Sequence, residues 1–291
     1  MEELEALRQR IAAVAADLPG RLGVLVRYPD EDAEVGFAAD DLFPAASVIK
    51  IPIMVEVYRQ AAAGRLTLAD PLPVLAEERT DGSGILKYLH AGLQLTIADA
   101  VELMIIVSDN SATNLLLRRL GTEAVNRAMD DLGLSQTRTA GPIRSANAAV
   151  DLSRMSRTTP REMGNLLAWM AAGTLVSPEA STAMIETLEH QIHGDMLPRY
   201  LPFTYYPERL GLAEMPVRIA HKTGGLSGVR HDVGIVRAQT AAGMRTMIVS
   251  AFTAGVADQE LWTVENLGAR AVAEVGRLAY DTLMRLHAAR A

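Results

Sequence analysis

Cysteine is absent from the 291 residues, which excludes disulfides, a thiol nucleophile and thiolate metal sites. Lysine is almost absent. Of 28 basic residues only Lys50, Lys87 and Lys222 are lysines, and the other 25 are arginines. Positive charge is outweighed, with a net formal charge of −7. That balance argues against a nucleic-acid binder held by phosphate contacts and against a polybasic membrane patch. No apolar run approaches the roughly 18 residues needed to span a bilayer. The opening Met1-Glu2-Glu3-Leu4-Glu5 has neither the basic nor the apolar region of a signal peptide. The chain as written is expected to be cytoplasmic, and periplasmic or secreted if a leader has been removed.

The composition that remains is globular, 49% hydrophobic and 22% charged, enough for one large domain or two smaller ones sharing an interface. Arginine meets the ordinary need for surface cations. Lysine differs in being able to lose its proton in a desolvated site, which arginine effectively cannot do. Each of the three lysines therefore invites a chemical question.

Leu4, Leu7, Ile11 and Leu18 recur at helical spacing over residues 3–18. Arg21–Tyr28 and Glu34–Ala39 read as two strands around the turn Pro29-Asp30-Glu31-Asp32. From about residue 45 to 190 the pattern is helical. Val48–Gln60 forms one helix, which Pro52 is expected to kink. Thr96-x-x-Asp99 reads as a capping box for Ile97–Val107, and Ser111–Leu120 is stopped by Gly121. Thr159-Pro160-Arg161-Glu162 and Ser177-Pro178-Glu179 each start a helix. Residues 194–216 look irregular. Strand-like runs follow at Val217–Lys222, Asp232–Ala238 and Met244–Thr253, and a helix over Leu261–Ala289 carries Val264, Leu267, Ala271 and Leu278 on one face.

This order predicts an α/β (α+β) protein, with a five-stranded antiparallel sheet covered by the N- and C-terminal helices and an all-helical lobe inserted into it. Residues 1–45 with 205–291 would form the α/β domain and 46–204 the helical lobe, the site lying in the cleft between them.

Three short motifs carry chemistry. Ser47-Val48-Ile49-Lys50 puts a hydroxyl and an amine on one helix face, with Ser47 at the positive end of the helix dipole. A serine needs a base to become a nucleophile, and a lysine serves at neutral pH only if desolvation and a second cation lower its pKa. Lys222-Thr223-Gly224-Gly225 ends a strand. It offers a fixed cation and a hydroxyl for a substrate carboxylate, and a backbone N–H near Gly225 that, with that of Ser47, could make an oxyanion hole. Ser108-Asp109-Asn110 links two apolar helices. Ser108 could relay a proton, and Asn110 could hold a substrate amide. Alone, each motif reads more readily as structure: an N-cap with a solvated lysine, a strand end with its turn, and a helix–helix connection. Together they place two of the only three lysines inside two of the motifs, each occurring once.

The set S-x-x-K, S-D-N, K-T-G in this order resembles the penicillin-recognising serine hydrolases, specifically the class A β-lactamases. The resemblance runs through the leading helix and hairpin, Met104–Asn114, the Thr-Thr-Pro helix start and the closing helix. It implies Ser47 as acylated nucleophile, Lys50 as base or proton shuttle, and Ser108 as relay. Asn110, Lys222 and Thr223 would bind substrate, with Gly224 and Gly225 beside them. It implies no metal and no cofactor. The expected partner is a small β-lactam or acyl-peptide.

One departure matters. Class A enzymes carry E-x-x-L-N before the Thr-Thr-Pro helix, and its glutamate activates the deacylating water. Counting back from Pro160, that stretch is Ile143-Arg144-Ser145-Ala146-Asn147. The asparagine is retained as Asn147, and Ile143 stands in the glutamate position. No acid occurs between Thr137 and Val150. Losing such a base commonly costs roughly 10²–10⁴ in rate, so slow deacylation is expected unless Glu77, Glu78 or Asp151 substitutes. Gly82-Ser83-Gly84 lacks the rim aromatic frequent in the family. Residues 194–216 hold Tyr200, Phe203, Tyr205 and Tyr206, which would line the cleft, cover a partner surface or pack on themselves. His190 and His193 fit a surface role better than a zinc site. His221 and His231 are expected in structural or rim roles, and Arg230 or Arg237 could bind a carboxylate.

The resulting expectation is a β-lactamase-like serine hydrolase that forms an acyl-enzyme at Ser47. The alternatives are a penicillin-binding or sensing protein acylated without turnover, and a D-alanyl peptidase or esterase.

Overall fold

The computed structural model describes residues 2–143, 154–203, 215–257 and 261–288. Helix α1 (Glu2–Asp17) leads into β1 (Arg21–Tyr28), β2 (Ala33–Phe37) and the two-residue β3 (Phe43–Pro44). A helical block follows, made of α2 (Lys50–Ala62), the short strands β4 (Pro71–Pro73) and β5 (Gln94–Thr96), α3 (Ile97–Ile106), α4 (Asn110–Leu120) and α5 (Thr122–Asp131). It continues through β6 (Arg157–Thr158), α6 (Pro160–Ala171) and α7 (Pro178–Glu189). The chain returns through β7 (Val217–Leu226), β8 (Val229–Thr240) and β9 (Gly243–Ala254), then forms α8 (Leu267–Leu286).

The main sheet has the order β2-β1-β9-β8-β7 and is antiparallel throughout. Alternation of side chains along its strands divides the core in two. On one face Leu7 and Ile11 of α1, with Val272, Val275 and Leu278 of α8, pack against Val24, Val26, Val236 and Val249. The other face presents Ile235, Ile248 and Phe252 to the helical block, including Met163, Leu166 and Leu167 of α6. Tyr28 crosses from the sheet to α8, its hydroxyl donating to Ala279 O at 2.9 Å.

Helix α2 is the centre of the block. Lys50, Ile51, Ile53, Met54, Val55 and Val57 are all fully buried, as expected of a helix enclosed on every side. The expected kink at Pro52 does not follow from its position. A 3₁₀ turn over Ala46–Ile49 precedes α2, and Pro52 is the third residue of the α-helix, within the first turn where a missing N–H is tolerated.

The caps at Thr96, Thr159 and Ser177 form as the sequence predicts, each side chain accepting from the third following amide. Several boundaries shift, and two of the shifts change which residues an element carries. The final helix starts at Leu267 after Asn266, whose side chain accepts from Ala269 N, so Val264 lies outside it and is exposed. Strand β7 continues past Lys222 through the K-T-G-G stretch to Leu226, because each residue from Val217 to Leu226 finds a partner on β8.

Candidate active site

The 3₁₀ turn before α2 brings Ser47 and Lys50 into line, since side chains at i and i+3 eclipse in that geometry. The Lys50 amide closes the turn onto Ser47 O. Ala46, just before the serine, has a left-handed φ of 45°, a conformation that costs a non-glycine residue about 1–3 kcal/mol. Ser47 is half-buried and Lys50 has no exposed surface.

The connection between α3 and α4 supplies the second edge. Asp109 caps α4, its Oδ1 accepting from Ala112 N at 3.0 Å. Ser108 has φ 53°, which turns both its carbonyl and its hydroxyl towards α2. Lys50 Nζ lies 2.7 Å from Ser108 O, 3.0 Å from Ser108 Oγ and 2.9 Å from Asn110 Oδ1. The two carbonyl-type oxygens can only accept. The hydroxyl can accept from an ammonium or donate to the lone pair of an amine, so Ser108 and Lys50 can exchange a proton without moving.

Strand β7 supplies the third edge. Lys222 is fully buried, and its Nζ donates to Thr223 O at 2.8 Å. Gly224 faces the start of the 3₁₀ turn, where an added Cβ would lie 3.3 Å from Ser47 N, 3.3 Å from Ala46 Cβ and 3.2 Å from Val48 Cγ1. Burial drives the Lys50 ammonium well below its ordinary value, the charge of Lys222 adds to that push, and Asp109 opposes it. Burial also brings Lys222 down, to about 7, against the pull of Asp232. The structure thus joins Lys50, Ser108 and Asn110 by hydrogen bonds, brings the charge of Lys222 to bear on Lys50, and sets Gly224 against the Ser47 amide. Thr223 and Gly225 alternate to the other side of the strand.

Asn110 also donates from Nδ2 to Asp81 O at 3.1 Å, so both ends of its amide are used within the protein. Asn147 lies outside the described residues, as do Asp151, Tyr205 and Tyr206. Ile143, next to that region, is held by Asn114. Its amide donates to Asn114 Oδ1 at 2.7 Å and its carbonyl accepts from Asn114 Nδ2 at 2.9 Å. Glu78 is taken up by Arg118 and by the Leu75 amide.

Arg230 and Arg237 separate clearly. Arg237 pairs with Arg218 well along the sheet. Arg230 sits beside the K-T-G strand, but its guanidinium donates to the carbonyls of Leu226, Val229 and Leu261 and lies 4.1 Å beneath the ring of Trp262. Trp262 is exposed and stands 3.3 Å from where a Gly225 Cβ would be, on the side of the strand that also carries Thr223.

The histidines beside the K-T-G stretch are structural and not at a rim. His221 Nδ1 pairs with Asp232 Oδ1 at 2.9 Å in a fully buried position, and Asp232 Oδ2 accepts from Leu197 N at 2.9 Å. His231 donates from Nε2 to Pro44 O at 2.7 Å and accepts at Nδ1 from Thr253 N at 3.2 Å. Burial pushes it down to about 4, so it is neutral. His190 binds Glu102, and no cluster of three metal-ligating side chains occurs among the described residues.

Two contributors carry no sequence signal of their own kind. Ser83 places its hydroxyl 2.6 Å from Ser108 O, although its tripeptide reads only as a helix connection without the family's rim aromatic. Trp262 falls in a stretch that reads as the start of a helix. The positive φ demanded by two glycines around Ser83 is the one clue that its turn is fixed.

Comparison with known proteins identifies the family. A family model described as "Beta-lactamase enzyme family" matches residues 6–283. The β-lactamase ROB-1 of Haemophilus influenzae is 28% identical over 235 residues, covering 79% of this chain and 72% of that protein. A β-lactamase of Rhodobacter capsulatus is 27% identical over 188 residues, 64% of either chain. Among solved structures, the β-lactamase of Sphaerobacter thermophilus superposes with a TM-score of 0.82 at 31% identity, covering 98% of both chains. PBP-A superposes with a TM-score of 0.79 at 25% identity over 96% of both. The chain belongs to the β-lactamase enzyme family and is a serine hydrolase of the class A type.

Proposed function

We propose that this protein opens β-lactams, or related acyl substrates, through an ester at Ser47, in a cleft between an α/β domain (1–45 with 205–291) and a helical lobe (46–204). The observation that carries the reading is Lys50, fully buried, hydrogen-bonded to Ser108 and Asn110 and facing Lys222. A neutral Lys50 takes the proton of Ser47 as Oγ bonds to the lactam carbonyl carbon. The proton passes through Ser108 to the ring nitrogen as the C–N bond breaks. Backbone N–H groups of Ser47 and Gly225 hold the oxyanion. Lys222 and Thr223 hold the substrate carboxylate, and Asn110 and Asn147 the acyl side.

Deacylation is the slow step in this reading, because Ile143 stands where class A enzymes carry their water-activating glutamate and Glu78 is engaged elsewhere. That favours, as the second reading, a protein acylated without turnover. The likeness to PBP-A supports it, a point variant of that protein having been solved as an acyl-enzyme with penicillin G. Incubation with a chromogenic cephalosporin and with a penicillin, followed by absorbance and intact mass, decides between them. Sustained turnover supports the hydrolase, and a long-lived one-to-one adduct the second reading. An adduct persisting in Ser47→Ala would remove Ser47 as nucleophile.

A further inference from the structure

Ser83 has no task in the reading above, yet its hydroxyl reaches the same acceptors as Lys50. Ser83 Oγ donates to Ser108 O at 2.6 Å and approaches Asn110 Oδ1 at 3.3 Å. Lys50 Nζ binds those same two oxygens at 2.7 and 2.9 Å.

The turn that delivers Ser83 is shaped around the S-D-N connection. Gly82 and Gly84 have φ of 94° and 104°. A Cβ on Gly82 would stand 2.6 Å from Asn110 Nδ2, and one on Gly84 would overlap the Asp109 carboxylate. Asn110 N donates back to Ser83 O at 3.1 Å. Asp109 Oδ2 accepts from the amides of Ile85 and Leu86 at 2.6 and 2.8 Å, and Lys87 Nζ closes the turn on Gly82 O.

We infer that Ser83 is a positioning residue for Lys50: by donating to Ser108 O and lying beside Asn110 Oδ1, its hydroxyl loosens the hold of those oxygens on an ammonium and favours the neutral amine. The inference rests on the proposal that Lys50 is the base. An ammonium has three hydrogens to place and a neutral amine two. A carbonyl oxygen already receiving a hydroxyl is a weaker partner for a positive charge, and hydrogen bonds to the charged form are one of the forces that set a titration midpoint. The charged groups facing Lys50 among the described residues are Lys222 from β7, which acts in the same direction, and Asp109 at the head of α4, which opposes both. Glu56, on the same helix, is turned to Gln60, Arg59 and Arg65.

The three lysines make a direct test practical. The full chain labelled with [ε-¹³C]lysine gives three side-chain signals to follow against pH, assigned with Lys87→Arg and Lys222→Arg. In Ser83→Ala the Lys50 midpoint should move up by about half to one pH unit, and Ser83→Thr, which keeps the hydroxyl, should restore it. A Ser83 that merely pins its loop would leave the midpoint where it was. An unchanged or lowered midpoint in Ser83→Ala, or a Lys50 signal that titrates in neither protein between pH 5 and 11, overturns the inference. Intact mass after penicillin reads the proposed function separately. A wild type that forms no adduct but shows the expected Lys50 shift sinks that function and leaves the role of Ser83 standing. Adduct formation without the shift does the reverse.

Discussion

Gly224 of β7 lies against the amide of Ser47, so that a single added methyl would come within 3.3 Å of that nitrogen. Contacts this tight are met by a shift of a few tenths of an ångström, and here the neighbours that must give are the Val48 and Ala46 side chains and the backbone of Ser47, the proposed nucleophile. Gly224→Ala should therefore cost about 1–2 kcal/mol of stability and a larger share of activity, on the order of tenfold or more in acylation rate. Thermal unfolding measured beside single-turnover acylation checks the split. Equal losses in both would point to general loosening of the fold.

Lys50→Arg should be almost as inactive as Lys50→Ala, on the order of 10²–10⁴ below wild type in acylation, because the property lost is a removable proton and not a charge. Guanidinium also brings a permanent charge into a fully buried place. Retention of more than a tenth of wild-type acylation by Lys50→Arg would remove lysine from the base role.

Lys222 gives the stability a pH signature. Its midpoint in the folded protein, about 7, lies below its ordinary value of 10.5. Between those values the unfolded chain binds more protons than the folded one, so folding is favoured as pH rises. Wild type should gain stability relative to Lys222→Met from pH 7 towards 10.5 and show no such gain below about pH 6. Acylation should move the other way. If the charged Lys222 holds the substrate carboxylate, kcat/KM falls as pH rises through about 7. Chemical denaturation of the two proteins at several pH values measures the first effect, and a pH–rate profile the second.

Asp109 accepts from Ile85 N, Leu86 N and Ala112 N while almost completely buried. Asp109→Asn replaces one accepting oxygen by a donor facing a donor, and should destabilise the fold by about 2–3 kcal/mol. Urea titration would show it. A change below about 0.5 kcal/mol would mean that the Gly82–Leu86 turn is not held by this carboxylate.

In the proposed reading, Ile143→Glu puts a carboxylate where class A enzymes carry their water-activating glutamate. Deacylation, measured as loss of the penicillin adduct by mass, should accelerate by about 10² or more. An adduct as long-lived as in wild type would show that residue 143 does not face the ester.

The sheet and its covering helices were legible because their signals are local. Short apolar runs such as Arg21–Tyr28, and Ser or Thr followed by Pro, fix their own elements whatever surrounds them. The lysine pair was legible through scarcity, since two of three lysines fell within recognisable motifs. Ser83 and Trp262 were not, because their importance lies in contacts 25 residues along the chain to Ser108 and from the α8 approach to Arg230. The length of β7 was hidden for a related reason. Glycines weaken a strand signal, yet the pairing of Gly224 and Gly225 with β8 keeps the ladder intact.

The scarcity of lysine has a practical consequence. Lys50 and Lys222 are sealed from solvent, which leaves Lys87 as the one ε-amine with accessible surface. An amine-directed fluorophore or surface linker would attach to a single side chain of this protein. Because Lys87 binds the carbonyl of Gly82, that label would ride on the turn carrying Ser83.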